Sequence, residues 1–547
     1  MHANTVAELV LARADDEHVG LRFEDRSWTW AQVVSECRER AAFIESIPGD
    51  GPFHVGVLLD NVPEYVFLLG GAALAGATIV GINPTRRGDE LAADVRHTEC
   101  RGIVTERHHR ALLEGLDTGV PPAQIFDIDS PGWLGALAPH RGAAPPTTLP
   151  EPDTLYVLIF TSGSTGAPKA VRGTQGRYAG FGAAMPFTTD DVLYCSMPLF
   201  HGNALASNLL PALATGATIA LRRTFSASEF LDDVRRFGAT YFNTVGRALS
   251  YVLATPPSPH DRDHRVKFAL GPESSPADAS AFRARFGIPV IQGYGQSEGV
   301  IVLTPTRNAP AGALGVPAPG QDVAVVDASG TECARAQFDG DGMLVNPDAA
   351  IGEIVRRDAG ACFEGYYNND AAQTARTRNG WYWSGDLAYR DDEGMFHFAG
   401  RSTDWLRVDA ENFAAAPVER ILGRLPAVAG VAVYAVPDPA TGDQVMAAVE
   451  LRVGGSFDPD AFTAFLAAQT DLGTKWAPRF VRVVDALPVT GADKIDKKPL
   501  TRDAWHTADP VWWRPPRTET YRPFTEADAE QLDEELRRHG REHLLRH

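Results

Sequence analysis

The sequence predicts an α/β protein with a large N-terminal part made of several subdomains and a small α/β C-terminal part. Three observations carry this. The chain has 547 residues, too many for one hydrophobic core. Residues 55–59 read as a strand, 65–75 as a buried helix and 78–82 as a second strand, the spacing of parallel α/β layering. Near the other end, the strand-like runs 431–436, 445–451 and 480–484 surround one helical run, 458–468, and make a compact α/β set of their own.

Each element has a local cause. Pro63 fits the first turn of a helix, where its missing N–H costs nothing, and Asn83-Pro84 ends the strand before it. The strand pattern recurs at 100–105 and 124–128. Residues 139–152 are rich in Pro, Gly, Ala and Thr and read as an exposed connector. A helical run follows at 204–214, an amphipathic helix at 230–237, and a strand at 241–246. Residues 288–291 and 300–305 read as strands. The charged stretch 526–546 reads as a tail helix, and the tryptophans of Val511-Trp-Trp513 as packing back on the protein.

Composition excludes several classes. A formal net charge of −19 argues against nucleic acid or an anionic membrane as the main partner. Cys37, Cys100, Cys195, Cys333 and Cys362 are odd in number and scattered, which predicts reduced thiols in the cytoplasm and no zinc site. No His/Cys/Asp cluster with metal-ligand spacing is visible. The most apolar run, 67–82, is short for a membrane span and broken by glycines. Residues 1–20 carry early acids and read as no signal peptide.

Residues 155–160 form an apolar strand that runs into Thr161, Ser162, Gly163, Ser164, Thr165 and Gly166, closed by Lys169. Two glycines let such a loop turn its N–H groups outward, four hydroxyls add donors, and the ammonium suits phosphate oxygens. A Ser/Gly-rich surface turn is the alternative. Ala167 and Pro168 separate the glycine from the lysine, so this is not a Walker loop. Only six lysines occur among 51 cationic residues, and Lys169 and Lys494 both lie in motifs. A compact ammonium is therefore a marked choice at these places.

The loop, together with Gln292-Gly-Tyr-Gly-Gln-Ser-Glu298, Trp381-Tyr-Trp-Ser-Gly-Asp386, Arg401 and the Lys494 segment, resembles the adenylate-forming superfamily of acyl-CoA synthetases, adenylation domains and luciferases. The closest look is to actinobacterial fatty-acyl and steroid-acyl CoA ligases. The resemblance implies an N-terminal AMP-binding domain over residues 1–402 and a mobile C-terminal domain over 403–508 hinged at Thr403 and Asp404; residues 509–547 run beyond the family's usual end and read as a helical extension. It implies that Gly271, Pro272, Glu273, Gln292, Gly293, Tyr294 and Gly295 surround the adenine, and that Ser297 touches the α-phosphate. Glu298 would hold Mg²⁺. Asp386 and Arg401 would bind the ribose, and Lys494 would bridge the acid and the α-phosphate. His201, Asn243, Gly246, Arg247 and Gly271 would border the acyl pocket; a packed, hydrogen-bonded histidine is the alternative at His201. Gly295-Gln-Ser-Glu-Gly299 also matches a hydrolase nucleophile elbow, but the β-branched run after it predicts a strand where the elbow needs a helix.

The resemblance implies ATP and Mg²⁺ as cofactors, CoA as co-substrate and a small-molecule acid as substrate; the charged tail helix, outside the resemblance, is suited to a homodimer contact. The reaction it implies is adenylation of a carboxylic acid with pyrophosphate release, then thioester formation. Pro272, Ser274 and Asp493 depart from the usual motifs, and Ala410 stands where a glycine is common. These departures keep open a second reading in the same superfamily: nitrite activation for attack by an aryl amine, or amide formation.

Overall fold

A computed structural model describes residues 3–161, 168–183, 185–272, 274, 276–306, 309–310, 313–339, 344–401, 405–408, 411–439, 443–469, 472–473, 475–490, 494–516, 518–538 and 541. Its contacts divide the chain into two units, Met1–Val300 with Ala359–Thr377, and Ile301–Asp358 with Arg378–His547.

The first unit holds two sheets. In one, Ile125–Asp127, Gly102–Thr105, His54–Leu58, Thr78–Gly81 and Leu155–Phe160 run parallel in that order, and Ala170–Thr174 closes the edge antiparallel. Strands His54–Leu58 and Thr78–Gly81 are buried throughout, as continuous apolar runs in parallel sheets require. The other sheet has the order Val290–Ile291, Phe268–Leu270, Tyr241–Asn243, Val192–Cys195, Thr218–Leu221, Val19–Phe23 and Arg26–Thr29, parallel except for the last hairpin.

Helix Pro63–Ala75 begins with its proline in the first turn and ends at Gly76 in the left-handed region, φ 67°. It is apolar on all sides because it is buried on nearly all of them. It lies against helix Trp30–Ser46, which opens with a capping box of Thr29 and Gln32. Gly70 and Gly71 permit the close approach: a methyl on Gly71 would stand 2.7 Å from Arg40 Cβ and 2.9 Å from the Ala41 nitrogen.

The strand expected over 241–246 stops at Asn243, and Gly246 already opens helix Gly246–Leu253. Thr244 N–H still bonds the Leu270 carbonyl, and the β-branched pair Thr244-Val245 extends the strand signal past its end. The helical run expected over 204–214 spans Gly202–Thr215 with a wider π-turn at Leu205–Leu209 inside it.

In the second unit, Val302–Thr304, Ala313–Pro317, Phe396–Arg401, Trp381–Arg390, Gly352–Arg356 and Val323–Val326 pair antiparallel in that order. A hairpin follows, Trp405–Val408 with Glu411–Ala414. The five-stranded sheet of Val428–Pro437, Asp443–Leu451, Phe480–Val484, Val511–Trp513 and Arg522–Pro523 completes the unit. The tail is part of this core. Trp513 stacks on Phe480 with centroids 6.3 Å apart, and helix Glu526–Arg538 buries Leu532 and Leu536 in the same cluster. Among the described residues no helix is long and apolar enough to cross a membrane.

Candidate active site

Strand Leu155–Phe160 delivers the chain to Thr161, whose N–H bonds the Lys169 carbonyl at 3.1 Å. That bond closes the base of the loop. Ser162, Gly163, Ser164, Thr165 and Gly166 lie outside the described residues. The returning strand, Ala170–Thr174, is gripped by a distant segment. Arg172 N–H bonds the Gly365 carbonyl at 3.1 Å, and Tyr367 N–H bonds the Ala170 carbonyl at 2.8 Å. Asn369 Nδ2 donates to the Pro168 carbonyl at 3.1 Å, and Thr174 Oγ1 donates to Glu364 Oε1 at 2.6 Å.

This segment carries Tyr366 to Glu298. The phenol donates to Glu298 Oε1 at 2.6 Å in a buried position. Burial first, and the Glu298 carboxylate next, push the Tyr366 phenol above its ordinary range, so it stays a neutral donor. Glu298 is 6% exposed. A buried carboxylate needs compensation, and one neutral hydrogen bond is partial compensation for a full charge. Ser297 beside it is exposed, and Tyr294 is half-buried. No helix follows the Gly295–Gly299 motif; the next element is strand Val302–Thr304, so the hydrolase-elbow geometry is absent.

The predicted adenine wall is knit together. Gln292 Nε2 donates to the Ser274 carbonyl at 2.7 Å, and Gly271 N–H bonds the Ile291 carbonyl at 2.9 Å. Ser274 Oγ turns back to the Gly271 carbonyl. The serine that departs from the usual motif therefore caps this turn. Gly271 is buried, and a methyl there would meet Val290 Cγ1 at 2.7 Å. Pro272 and Gly293 are half-buried; Glu273 lies outside the described residues.

His201 follows Phe200, with ring centroids 4.4 Å apart, and its N–H closes a turn to Pro198. Asn61 holds this turn from the other sheet: its amide donates to the Met197 carbonyl at 2.8 Å, and its oxygen accepts Leu199 N–H at 2.9 Å. Asn243 is fully buried at the strand end and donates to Asn203 Oδ1 at 3.2 Å. Among the described residues its own Oδ1 has no hydrogen-bond donor. Gly246 and Arg247 start the next helix, and their side chains lie outside the described set.

In the second unit, Asp386 and Arg401 face each other in strand register. Gly385, at φ 73°, turns the strand just before Asp386, and Glu353 Oε1 holds its N–H at 2.7 Å. The Arg401 side chain is not described. Lys494 closes a tight hairpin: Val489 bridges Ile495, and Thr490 N–H bonds the Lys494 carbonyl at 2.7 Å. Lys497, the next cation, is tied to Glu419 at 2.8 Å. Thr403, Asp404, Ala410 and Asp493 lie outside the described residues.

The AMP-binding enzyme family matches residues 10–367, and the AMP-binding enzyme C-terminal domain matches residues 417–494. The chain belongs to the AMP-binding enzyme family. It is 48% identical to a steroid-22-oyl-CoA synthetase of Rhodococcus jostii (strain RHA1), covering 100% of this chain and 99% of that protein. It is 42% identical to the medium/long-chain-fatty-acid–CoA ligase FadD17 of Mycobacterium marinum, covering 93% of this chain and 98% of that protein. The likeness to actinobacterial fatty-acyl and steroid-acyl CoA ligases therefore holds over the chain's whole length. The crystal structure of the anthranilate CoA ligase AuaEII shares the fold, with a TM-score of 0.79 and 21% identity over 91% of this chain and 97% of that one.

Sequence reading missed two things in this AMP-binding enzyme. One is Tyr366, which reaches Glu298 only through tertiary structure. The other is a group that no metal-ligand spacing in the sequence shows: Asp60, Glu106, His108 and His109 come together in the first unit. The visible signal was the His108-His109 pair just after a strand end.

Proposed function

We propose that this chain is an AMP-forming acyl-CoA ligase that activates a large apolar carboxylic acid, of the steroid-acyl or medium- to long-chain fatty class, in the cytoplasm. The observation that carries the reading is the end-to-end likeness to a steroid-22-oyl-CoA synthetase. The acid's carboxylate oxygen attacks the α-phosphorus of ATP, the bond to the β-phosphate oxygen breaks, and pyrophosphate leaves. Catalysis of this kind is positioning and charge neutralisation.

Thr161, Ser162, Gly163, Ser164, Thr165, Gly166 and Lys169 cradle the leaving pyrophosphate. Gln292 and Tyr294, with Gly271 to Glu273, bound the adenine. Asp386 and Arg401 hold the ribose, and Ser297 the α-phosphate. Lys494 bridges acid and phosphate. Glu298 fits Mg²⁺: its carboxylate is buried, one oxygen is fixed by Tyr366, and a hard cation prefers such oxygens. When bound, that ion would neutralise phosphate charge. His201, Asn243, Gly246 and Arg247 border the acyl chain. Rotation of residues 403–508 about Thr403 and Asp404 then removes Lys494 and admits the CoA thiol, which attacks the acyl carbon and expels AMP. Five free cysteines, three of them buried, fit a reducing compartment.

The test is pyrophosphate release from Mg-ATP with steroidal, fatty and aryl acids and with nitrite, each with and without CoA. Acid-dependent release with an acyl thioester seen by mass spectrometry is the expected result. Release that needs nitrite or an amine and ignores CoA refutes it.

A further inference from the structure

The cluster at Asp60, Glu106, His108 and His109 has no place in the ligase reaction, and its geometry points elsewhere. Asp60 follows strand His54–Leu58, and Glu106 follows the neighbouring parallel strand Gly102–Thr105, with Leu58 opposite Thr105. The carboxyl ends of parallel strands are where open α/β sheets place ligands. Asp60 N–H bonds Glu106 Oε2 at 2.8 Å, which fixes the two acids against each other. The Glu106 carbonyl in turn accepts the N–H groups of His109 and Arg110 at 3.0 and 2.9 Å.

The histidines are the unusual part. Adjacent residues on a helix point away from each other. Here His108 Nε2 lies 3.2 Å from Asp60 Oδ2, and His109 Nε2 lies 2.9 Å from Asp60 Oδ1. Their ring centroids are 3.9 Å apart. One ligand atom from each of the four residues lies within 4.8 Å of all the others. A tetrahedral zinc ion with bonds of about 2.0–2.1 Å holds its ligand atoms about 3.3 Å apart. A bound ion would draw the widest of these separations inward to reach that size.

Positive charge is supplied by Arg223, which pairs with Glu106 and reaches Asp60 at 3.3 Å. Arg223 is 40% exposed and His108 52%, so the guanidinium has room to leave and an ion has a way in.

We propose that Asp60, Glu106, His108 and His109 form a binding site for one zinc-class divalent cation, with Arg223 as the internal cation that it displaces. Two imidazoles and two carboxylates suit zinc better than magnesium or calcium. Such an ion would tie together the ends of two adjacent strands. Asp60 precedes Asn61, the residue that clamps the Met197–Leu199 turn, so the ion would also stiffen the approach to His201.

The experiment uses the full chain, stripped with chelator and dialysed, then titrated with Zn²⁺ by calorimetry and with Co²⁺ by optical spectroscopy. The wild type is expected to take one equivalent, with cobalt d–d bands and no thiolate charge-transfer band, which sets the five cysteines aside. His108→Ala/His109→Ala should lose at least about a hundredfold in affinity, since it removes two ligands. Arg223→Ala should bind about tenfold tighter, because its competitor is gone. Uptake unchanged in the double variant, a thiolate band in the wild type, or unchanged or weaker binding in Arg223→Ala overturns the proposal. Should the double variant not fold, the exposed His108→Gln carries the same test, with about a tenfold loss expected. Ligase turnover is not among the readouts, so the outcome is separate from that of the function proposed above.

Discussion

Tyr366 donates its phenolic hydroxyl to Glu298 across 68 residues of sequence, at 2.6 Å and out of contact with water. The bond fixes one carboxylate oxygen and orients the other. A hydrogen bond to a charged group contributes about 1.5–3 kcal/mol. With Glu298 holding Mg²⁺ as proposed, Tyr366→Phe should raise the Mg²⁺ concentration for half-maximal pyrophosphate release about tenfold, with turnover at saturating Mg²⁺ near that of the wild type. An unchanged Mg²⁺ dependence would remove Tyr366 from the site.

If Lys494 acts as proposed, Lys494→Ala should separate the two half-reactions. Loss of a charge aimed at the reacting phosphate costs about 3–4 kcal/mol, or a hundredfold or more in rate. Adenylation measured by pyrophosphate exchange should fall by that factor. Thioester formation from a supplied acyl-adenylate should stay within about threefold of the wild type, since the proposed domain rotation withdraws Lys494 in that step. The hairpin is held through the Lys494 backbone, so folding should be spared.

Gly71→Ala tests the helix contact. Its methyl would press on the Arg40 and Ala41 backbone at 2.9–3.0 Å, which cannot yield as a side-chain tip can. Overpacking of this kind costs about 1–3 kcal/mol. A denaturant midpoint equal to that of the wild type would mean that the helices separate more easily than their packing implies.

Asp94, on helix Gly88–His97, gives a pH signature. Burial raises its carboxyl to about 6, although Arg86 lies 3.2 Å away and works the other way. Between the ordinary carboxylate pKa and about 6 the unfolded chain ionises first, so this group makes stability fall as pH rises through that window. Above it the full penalty stands. Asp94→Asn should be more stable than the wild type at pH 7.5 by about 1–3 kcal/mol. The gap should shrink toward pH 4. Urea titrations at the two pH values check this, and a gap that widens at low pH would contradict it.

What was legible in the sequence was local chemistry. Pro63 in a first turn and Asp458-Pro459 at a helix start each place an element end correctly. Helix Phe230–Phe237 and strand Phe480–Val484 match their expected limits, since each has a strong pattern and a clear breaker. The strand over 241–246 was overextended because Thr244 and Val245 favour β structure, while the helix that follows starts at a glycine without a side-chain cap. Glu298 stands out in its motif, yet its partner Tyr366 looks like any aromatic before a helix. The Asp60 cluster joins one residue to three others, Glu106, His108 and His109, that follow it 46 to 49 positions later, so only the sheet brings the two parts together.

The first unit is built from two separated pieces of chain, Met1–Val300 and Ala359–Thr377. During synthesis the strand Ala170–Thr174 emerges long before Glu364, Gly365 and Tyr367, which saturate its edge, and Glu298 emerges before Tyr366. A nascent chain paused near residue 300 therefore exposes an unfinished sheet edge and an unanchored buried acid. Domains usually fold in order as they leave the ribosome. This one waits for a stretch that arrives only after 58 residues of the other unit, Ile301–Asp358, have been made. Its vulnerable interval, when protease or chaperone would find it, is set by translation of that insert.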